Sequence, residues 1–173
     1  MIQKHTILEA SPEDASLFTE IAMISKQHWG YPEEWMALWK DDLTITEAFL
    51  EQNRGWKLLI DGQTAGYAIV VLREGNFEIE HCFILPGFIG QGAGKKLLQH
   101  IFSIDQYKGA KFGVLSDPNA VAFYQKFGSW LISTRYFLLF LQFLCREILS
   151  SHQLKMDDLG ISSLRRRNWL VSL

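Results

Sequence analysis

The 173-residue sequence has little of several features that define classes of protein. Its two cysteines, Cys82 and Cys145, are too few for a disulfide framework, and both lie in apolar runs typical of buried thiols in a reducing compartment. No apolar run reaches the about 18 residues of a membrane helix, and the first residues lack the apolar core of a secretion signal. The formal net charge of −2 gives no electrostatic case for binding nucleic acid or an anionic membrane. We therefore expect a cytoplasmic protein.

Glycine, by contrast, is concentrated in one place. Four glycines, Gly87, Gly90, Gly92 and Gly94, follow an apolar, strand-like stretch at 79–85 and open a helix-like stretch at 93–104. A strand, a glycine-rich turn and a helix N-terminus together form an anion site, because backbone N–H groups point outward and the helix dipole favours negative charge. The sequence thus predicts a site for a phosphorylated cofactor.

The spacing of this run excludes two common phosphate loops. A nucleoside-triphosphate loop needs Gly, four residues, then Gly-Lys-Ser/Thr. Gly94 and Lys95 could end that pattern, but its first position falls on Ile89 and its last on Lys96. A dinucleotide fingerprint needs Gly-x-Gly-x-x-Gly, whose third glycine would fall on a lysine or a leucine here.

The run instead resembles the pyrophosphate loop of the GCN5-related N-acetyltransferases, which reads Arg/Gln-x-x-Gly-x-Gly/Ala after a strand that ends in hydrophobic-x-Pro. Ile84, Leu85 and Pro86 supply the strand end, and residues 90–98 supply the loop and the start of the helix. One position departs from the family pattern, because Ile89 stands where the family has Arg or Gln. That change removes one polar contact, whereas the family's backbone N–H groups remain.

A second match lies downstream. Residues 117–128 read Asp-Pro-Asn-Ala-Val-Ala-Phe-Tyr-Gln-Lys-Phe-Gly and resemble the family's later motif, Asn/Asp and Ala followed by Phe-Tyr-x-Lys-x-Gly. The resemblance covers roughly residues 1–128. It implies an acyl-CoA-dependent N-acyltransferase that uses acetyl-CoA as co-substrate, needs no metal, and acetylates a primary amine of a small molecule or peptide by direct attack.

Hydrophobic periodicity indicates the same fold class. It gives the order β-α-α-β-β-β-α-β-α, which is typical of an α/β protein with a mixed sheet and helices on both faces. Ser11 and Pro12 begin the first helix, and Asp61-Gly62 marks a hairpin turn. The resemblance adds a final strand, which makes the acetyltransferase fold β-α-α-β-β-β-α-β-α-β in a single domain.

The C-terminal part differs in charge. Residues 129–173 hold six Lys or Arg against three Asp or Glu. Residues 129–143 could form one or two strands, or a buried helix, because periodicity cannot decide a continuous apolar run. We assign residues 1–145 to the acetyltransferase domain and 146–173 to a divergent basic segment, either partly disordered or packed on a neighbouring subunit of a homodimer.

The resemblance assigns the cofactor contacts. Backbone N–H groups along the loop would bind the pyrophosphate of coenzyme A, and those of Ile84 would face the reacting carbonyl, where the family's strands splay apart. Asn119 would contact the pantetheine arm or cap a helix, and Phe123 would pack near the cofactor. The loop residues are Ile89, Gly90, Gln91, Gly92, Ala93, Gly94 and Lys95.

Catalysis needs a base and an acid. The family places a carboxylate base on the strand before the loop, and Glu80 is the preferred candidate. A period of two puts Glu78 on the same face as Glu80 and puts His81 on the other, so both remain alternatives to Glu80. Tyr124 is the candidate acid, because a phenol can protonate a thiolate leaving group.

The acceptor side is predicted from the aromatic residues. Trp29 and Tyr31, in a loop, are candidates for contact with a cationic amine. Trp35, Leu38 and Trp39 have helical spacing and are more typical of a core.

Two other functions fit the sequence. One is an acyl-CoA-binding regulatory module without turnover. The other is an interaction subunit that docks through the apolar C-terminal segment.

Overall fold

The computed structural model describes residues 3–114 and 116–126. The chain divides after Phe112 into two compact units. The predicted strand or helix at 129–143, the boundary at 145–146 and the basic segment at 146–173 lie outside the described residues. In the described ranges, no helix is long and apolar enough to cross a membrane.

The sheet has five strands in the order β1-β2-β3-β4-β5. The pairs β1–β2, β2–β3 and β3–β4 are antiparallel. Both tight turns of this meander have positive φ at both central residues, as type I′ hairpins require, and one of them is the predicted turn at Asp61-Gly62. The strands are β1 His5–Glu9, β2 Arg54–Ile60, β3 Gln63–Arg73, β4 Asn76–Ile84 and β5 Phe112–Val114.

The helices follow the predicted order, although four helices, rather than two, connect β1 to β2. The first is preceded by a 3-10 turn that begins as predicted at Ser11 and Pro12, where the Asp14 carboxylate accepts the Ser11 N–H at 3.0 Å. Thr46 caps another by accepting the Phe49 N–H at 3.1 Å. The helices are α1 Ala15–Gln27, α2 Glu33–Leu38, α3 Lys40–Leu43, α4 Glu47–Gln52, α5 Ala93–Ser103 and α6 Val121–Gln125.

Helices cover both faces of the sheet, which confirms the predicted α/β class. On one face, side chains of β3 pack against α1, α2 and α4. On the other, α5 buries Leu97, Leu98 and Ile101, and its His100 lies beside Trp56 of β2. The buried side chains of the first face, which we call the helical face, are Ala15, Phe18, Ile21, Ala22, Met36, Leu43, Ile45, Leu50, Tyr67, Ile69 and Val71.

A β-bulge interrupts the pairing of β3 with β4. Ile69 lies opposite His81, and the next residue, Val70, lies opposite Ile79. Glu80 is therefore an extra residue on β4 without a partner in β3. Such a bulge bends the strand and resets the alternation of its side chains.

The bulge corrects the predicted direction of His81. Ile69 and Val71 are two residues apart on β3 and share the helical face. Their partners, His81 and Glu78, share that face too. The prediction that His81 points away from the carboxylates is wrong, because strict alternation does not hold across the inserted residue.

Candidate active site

The glycine run forms an open turn that ends in a helix N-terminus. After a short 3-10 turn at Pro86–Phe88, α5 begins at Ala93, as predicted. Gly90 and Gly92 have φ of 81° and 80°, in the left-handed region that favours glycine. A Cβ at either position would meet no atom within 4 Å. Glycine is therefore required at these positions by the backbone conformation and not by close packing, and the space beside both residues is open.

Two amides of the loop are used within it. The Ile89 N–H donates to the Pro86 carbonyl at 3.2 Å, and the Gln91 N–H donates to the Phe88 carbonyl at 3.4 Å. The side-chain amide of Gln91 also donates to the Gly87 carbonyl at 2.6 Å. Gln91 thus ties the loop together. The sequence pattern indicates only the loss of a polar side chain at Ile89 and carries no separate signal for this bond.

The helix start supplies the outward amides. The Lys96 N–H donates to the Gly92 carbonyl at 3.0 Å, which is the first bond of the helical pattern. The amides of Ala93, Gly94 and Lys95 precede it and have no acceptor within the helix. They converge at the positive end of the α5 dipole, where an anion is stabilised.

The end of β4 presents backbone groups at the edge away from β3. The Leu85 N–H donates to the Ala65 carbonyl at 2.8 Å. Because successive residues of a strand alternate, the amide and carbonyl of Ile84 point to the opposite edge. There the Ile84 carbonyl accepts the hydroxyl of Ser25, from α1, at 3.0 Å. The Ile84 amide thus points away from β3.

The candidate base Glu80 is held in an ion pair. Its Oε1 lies 2.6 Å from Nη2 of Arg73. The same guanidinium reaches Glu78, with Nε 3.7 Å from Oε2, so the structure brings the two predicted carboxylates together on one arginine. Burial raises the pKa of Glu78 above its ordinary value, and the charge of Arg73 opposes that shift.

His81 lies beside a tyrosine that the sequence analysis did not single out. His81 is 8% exposed, and burial, with the charge of Arg73, lowers its pKa to about 4. Tyr67 is fully buried, and burial raises the pKa of its phenol. The ring centroids are 6.2 Å apart. A tyrosine within a buried strand reads as ordinary packing, so the sequence carried no signal for it.

One of the two predicted acceptor contacts, Tyr31, lies in an aromatic block with Trp35 and Trp39, and the three rings have centroids 5.0–6.0 Å apart. The ammonium of Lys26 lies over it, 4.7 Å from the Trp39 ring and 5.3 Å from the Tyr31 ring. The block therefore already contacts a cation of its own chain.

The other predictions for this region have mixed outcomes. Trp29 is 40% exposed, and its ring lies 5.2 Å from that of His28; its contact with an acceptor stays a prediction. The prediction that Leu38 belongs to the core is wrong, since Leu38 is 53% exposed. Met36 is the buried residue of α2. The face of this short helix that packs on α1 includes neither Leu38 nor the acidic residues of the first turn.

The second unit holds the later motif. The Asp117 carboxylate accepts both the backbone N–H of Asn119 at 2.9 Å and its side-chain amide at 3.0 Å. Asp117 thus fixes the turn before α6, and Asn119 is exposed. Phe123 and Tyr124 meet edge-on with centroids 5.0 Å apart, and Tyr124 is buried.

Comparisons with known proteins agree on one family. The family model described as an acetyltransferase (GNAT) domain matches residues 22–133. None of the curated proteins compared with the sequence matches it.

Several solved structures are similar. The PaiA N-acetyltransferase of Thermoplasma acidophilum, in complex with coenzyme A, has a TM-score of 0.64 and 21% identity over 76% of this chain and 92% of its own. A GCN5-related N-acetyltransferase from Rhodopseudomonas palustris has a TM-score of 0.64 and 23% identity, over 77% and 86%. A GNAT-family acetyltransferase from Brucella melitensis, in complex with acetyl-CoA, has a TM-score of 0.56 and 20% identity, over 73% and 83%. At these identities the likeness shows a shared fold.

Proposed function

Because the chain belongs to the GNAT acetyltransferase family, we propose that it moves an acetyl group from acetyl-CoA to a primary amine of a small molecule or peptide. The observation that carries the proposal is the open loop before α5. There the amides of Ala93, Gly94 and Lys95 precede the first helical hydrogen bond. Two of the similar structures contain coenzyme A or acetyl-CoA.

The pyrophosphate of coenzyme A binds these three amides, together with backbone groups of Gly90 and Gly92. A diphosphate fits this position because the site combines unpaired donors with the positive end of a helix dipole. The amides of Ile89 and Gln91 contribute less, since the turn already uses them. Gln91 acts chiefly by holding the loop through its bond to Gly87.

The acetyl group reacts at the edge of β4. The nitrogen of the acceptor amine attacks the thioester carbonyl carbon, and the carbonyl oxygen becomes an oxyanion. The Ile84 amide, which points to this edge, donates a hydrogen bond to that oxyanion. When the C–S bond breaks, the sulfur leaves as a thiolate and takes a proton.

Two side chains move protons. Glu80 accepts the proton of the attacking ammonium, directly or through a water, with Arg73 fixing its carboxylate. Tyr124 donates a proton to the thiolate. Glu78, whose pKa burial raises, is the alternative base, and Asn119 and Phe123 line the cofactor.

The acceptor amine binds beside the segment that joins α1 to α2. The exposed ring of Trp29 and the ring of Tyr31 provide contact area for it. Because Lys26 already lies over Tyr31 and Trp39, a cationic acceptor competes with that ammonium. An acceptor whose apolar part contacts Trp29 avoids the competition.

The decisive experiment is release of free thiol from acetyl-CoA against a library of primary amines and N-terminal peptides. The full chain should release thiol with at least one acceptor and yield the N-acetylated product by mass spectrometry. A chain that binds neither coenzyme A nor acetyl-CoA would exclude the proposal.

One observation favours a second candidate, an acyl-CoA-binding regulatory module. The preferred base is held by an arginine at 2.6 Å, so one of its carboxylate oxygens is already occupied by a group of the chain itself. Binding of acetyl-CoA in calorimetry without thiol release across the whole library would support this candidate over the enzyme.

A further inference from the structure

Two polar atoms are enclosed on the helical face without a partner among the described residues. They are the hydroxyl of Tyr67 and Nδ1 of His81. Tyr67 is fully buried and His81 nearly so. Native proteins leave few such atoms unsatisfied, and each one calls for a bound water, a ligand or a functional explanation.

The two atoms belong to neighbouring rings. Tyr67 is two residues before Ile69 on β3, and His81 lies opposite Ile69 because of the bulge. The rings are inclined by only 30°, with centroids 6.2 Å apart. Because the bulge leaves Glu80 unpaired, His81 has Ile69 as its partner and lies on the helical face beside Tyr67.

Aromatic rings pack against the pair. Tyr67 stacks on Phe18 of α1 at 4.0 Å, and His81 meets Phe49 of α4 at 6.0 Å and Phe83 at 6.0 Å. The charged groups on the same face are Arg73, Glu78 and Glu80, which bond to one another. Among the described residues, neither the phenol oxygen nor Nδ1 has a hydrogen-bond partner.

We propose that Tyr67 and His81 form a direct hydrogen bond in which the phenol donates and Nδ1 accepts. The ring centroids are 6.2 Å apart, so a small rotation of either ring brings the two atoms within reach of each other. Tyr67 is then a positioning residue for His81.

The direction of the bond follows from the donors available. If Nδ1 carried the proton and donated to the phenol oxygen, the phenol proton would be left buried without an acceptor, whereas the proposed direction satisfies it. A neutral imidazole whose Nδ1 accepts has its proton on Nε2. His81 is thus a neutral ring fixed in one tautomer, with an N–H at Nε2.

The tautomer of His81 bears on the proposed acetyl transfer, and its consequence for the choice of base rests on that proposed function. An imidazole that already carries its proton on Nε2, and whose Nδ1 is occupied by Tyr67, has no free lone pair to accept the proton of an ammonium. His81 therefore drops out as a base in the transfer, and that role falls to the carboxylates on Arg73.

The test is the tautomer of His81 in the full chain, measured by long-range proton–nitrogen NMR with ¹⁵N-histidine. His81 is identified among the five histidines by the loss of its signals in His81→Gln. The expected spectrum shows one tautomer, with Nε2 protonated and Nδ1 not. In Tyr67→Phe, the same signals should shift to a mixture of tautomers or to the Nδ1–H form.

Tyr107→Phe is the matched control, since Tyr107 packs against Trp56 on the opposite face of the sheet; it should leave the His81 signals unchanged. An Nδ1–H tautomer in the wild type, or identical His81 nitrogen shifts in wild type and Tyr67→Phe, would overturn the pair. The measurement needs no acceptor and no turnover. Failure of the acetyltransferase proposal and failure of this pair are therefore separate results.

Discussion

Arg73 and Glu80 form a 2.6 Å ion pair across the β3–β4 hairpin, from the last residue of one strand to the bulged residue of the next. Glu80 is an extra residue in the ladder, so its side chain depends on Arg73 for its direction. The preferred base is thus placed by an arginine as well as by the sheet.

Replacing the two carboxylates separately tests which one is the base. Glu80→Gln should lower kcat by about 10²-fold or more, the usual contribution of a general base, while affinity for acetyl-CoA stays the same. Glu78→Gln is the matched variant, because it removes the other carboxylate on Arg73. If only Glu78→Gln loses turnover in the thiol assay, the base is Glu78.

Gly92→Ala should weaken coenzyme A binding. A side chain at φ of 80° costs about 1–2 kcal/mol. The variant therefore either loses that much stability or changes the backbone at the start of α5, which turns the amides away from the pyrophosphate. Titration calorimetry with coenzyme A should show a several-fold rise in Kd. Gly87→Ala is the control, since its Cβ meets nothing within 4 Å and its φ is not in the left-handed region; equal effects of both variants would contradict the assignment.

Gly66→Ala should destabilise the fold. Its Cβ would overlap the carbonyl oxygen of Phe83 and lie 3.0 Å from Cα of Ile84. Both are backbone atoms, so β3 and β4 must move apart. Overpacking of this kind costs about 1–3 kcal/mol, which urea unfolding would detect. If Gly66→Ala is as stable as Gly87→Ala, the end of β4 can move to accept the Cβ at little cost, and the prediction is wrong.

His81 should make stability fall in mild acid. Its folded pKa, about 4, is below the ordinary histidine value of 6.5, so between these values the unfolded chain binds a proton that the folded chain does not. Its contribution is complete above pH 6.5 and declines as the pH falls towards 4, by about 2 kcal/mol at pH 5. Urea unfolding of the wild type at pH 7 and pH 5, relative to His81→Gln, measures this difference. Glu78, with a raised pKa, acts in the opposite direction in both proteins and cancels in the comparison.

Trp29→Ala should raise the KM for the acceptor and leave the KM for acetyl-CoA unchanged, because an exposed ring contributes contact area rather than core packing. Leu38→Ala serves as the comparison, since Leu38 is even more exposed and has no proposed contact. A rise in both Michaelis constants, or an equal effect of Leu38→Ala, would argue against contact between Trp29 and the acceptor.

Local chemistry made much of the fold predictable. The hairpin at Asp61-Gly62, the helix start at Ser11-Pro12 and the glycine turn before Ala93 each follow from residues that act over a few positions. The family motifs then extended these elements to a cofactor loop.

What the sequence could not show depends on contacts between strands. The bulge at Glu80 has no signature in β4 itself, because only the pairing with β3 reveals an extra residue. The bond from Gln91 to Gly87 likewise depends on how the turn closes. Spacing alone suggested a core position for Leu38, but the helix is too short for its whole apolar set to be buried.

Glu80 is the one position of β4 between its first and last paired residues that could be deleted on paper without turning any neighbour. Ile79 and His81 would become consecutive, and both would keep their present partners, Val70 and Ile69. A regular strand one residue shorter would therefore satisfy the same core. The sheet does not need a residue at position 80. The reason for having one there lies in the carboxylate of Glu80 and its ion pair with Arg73.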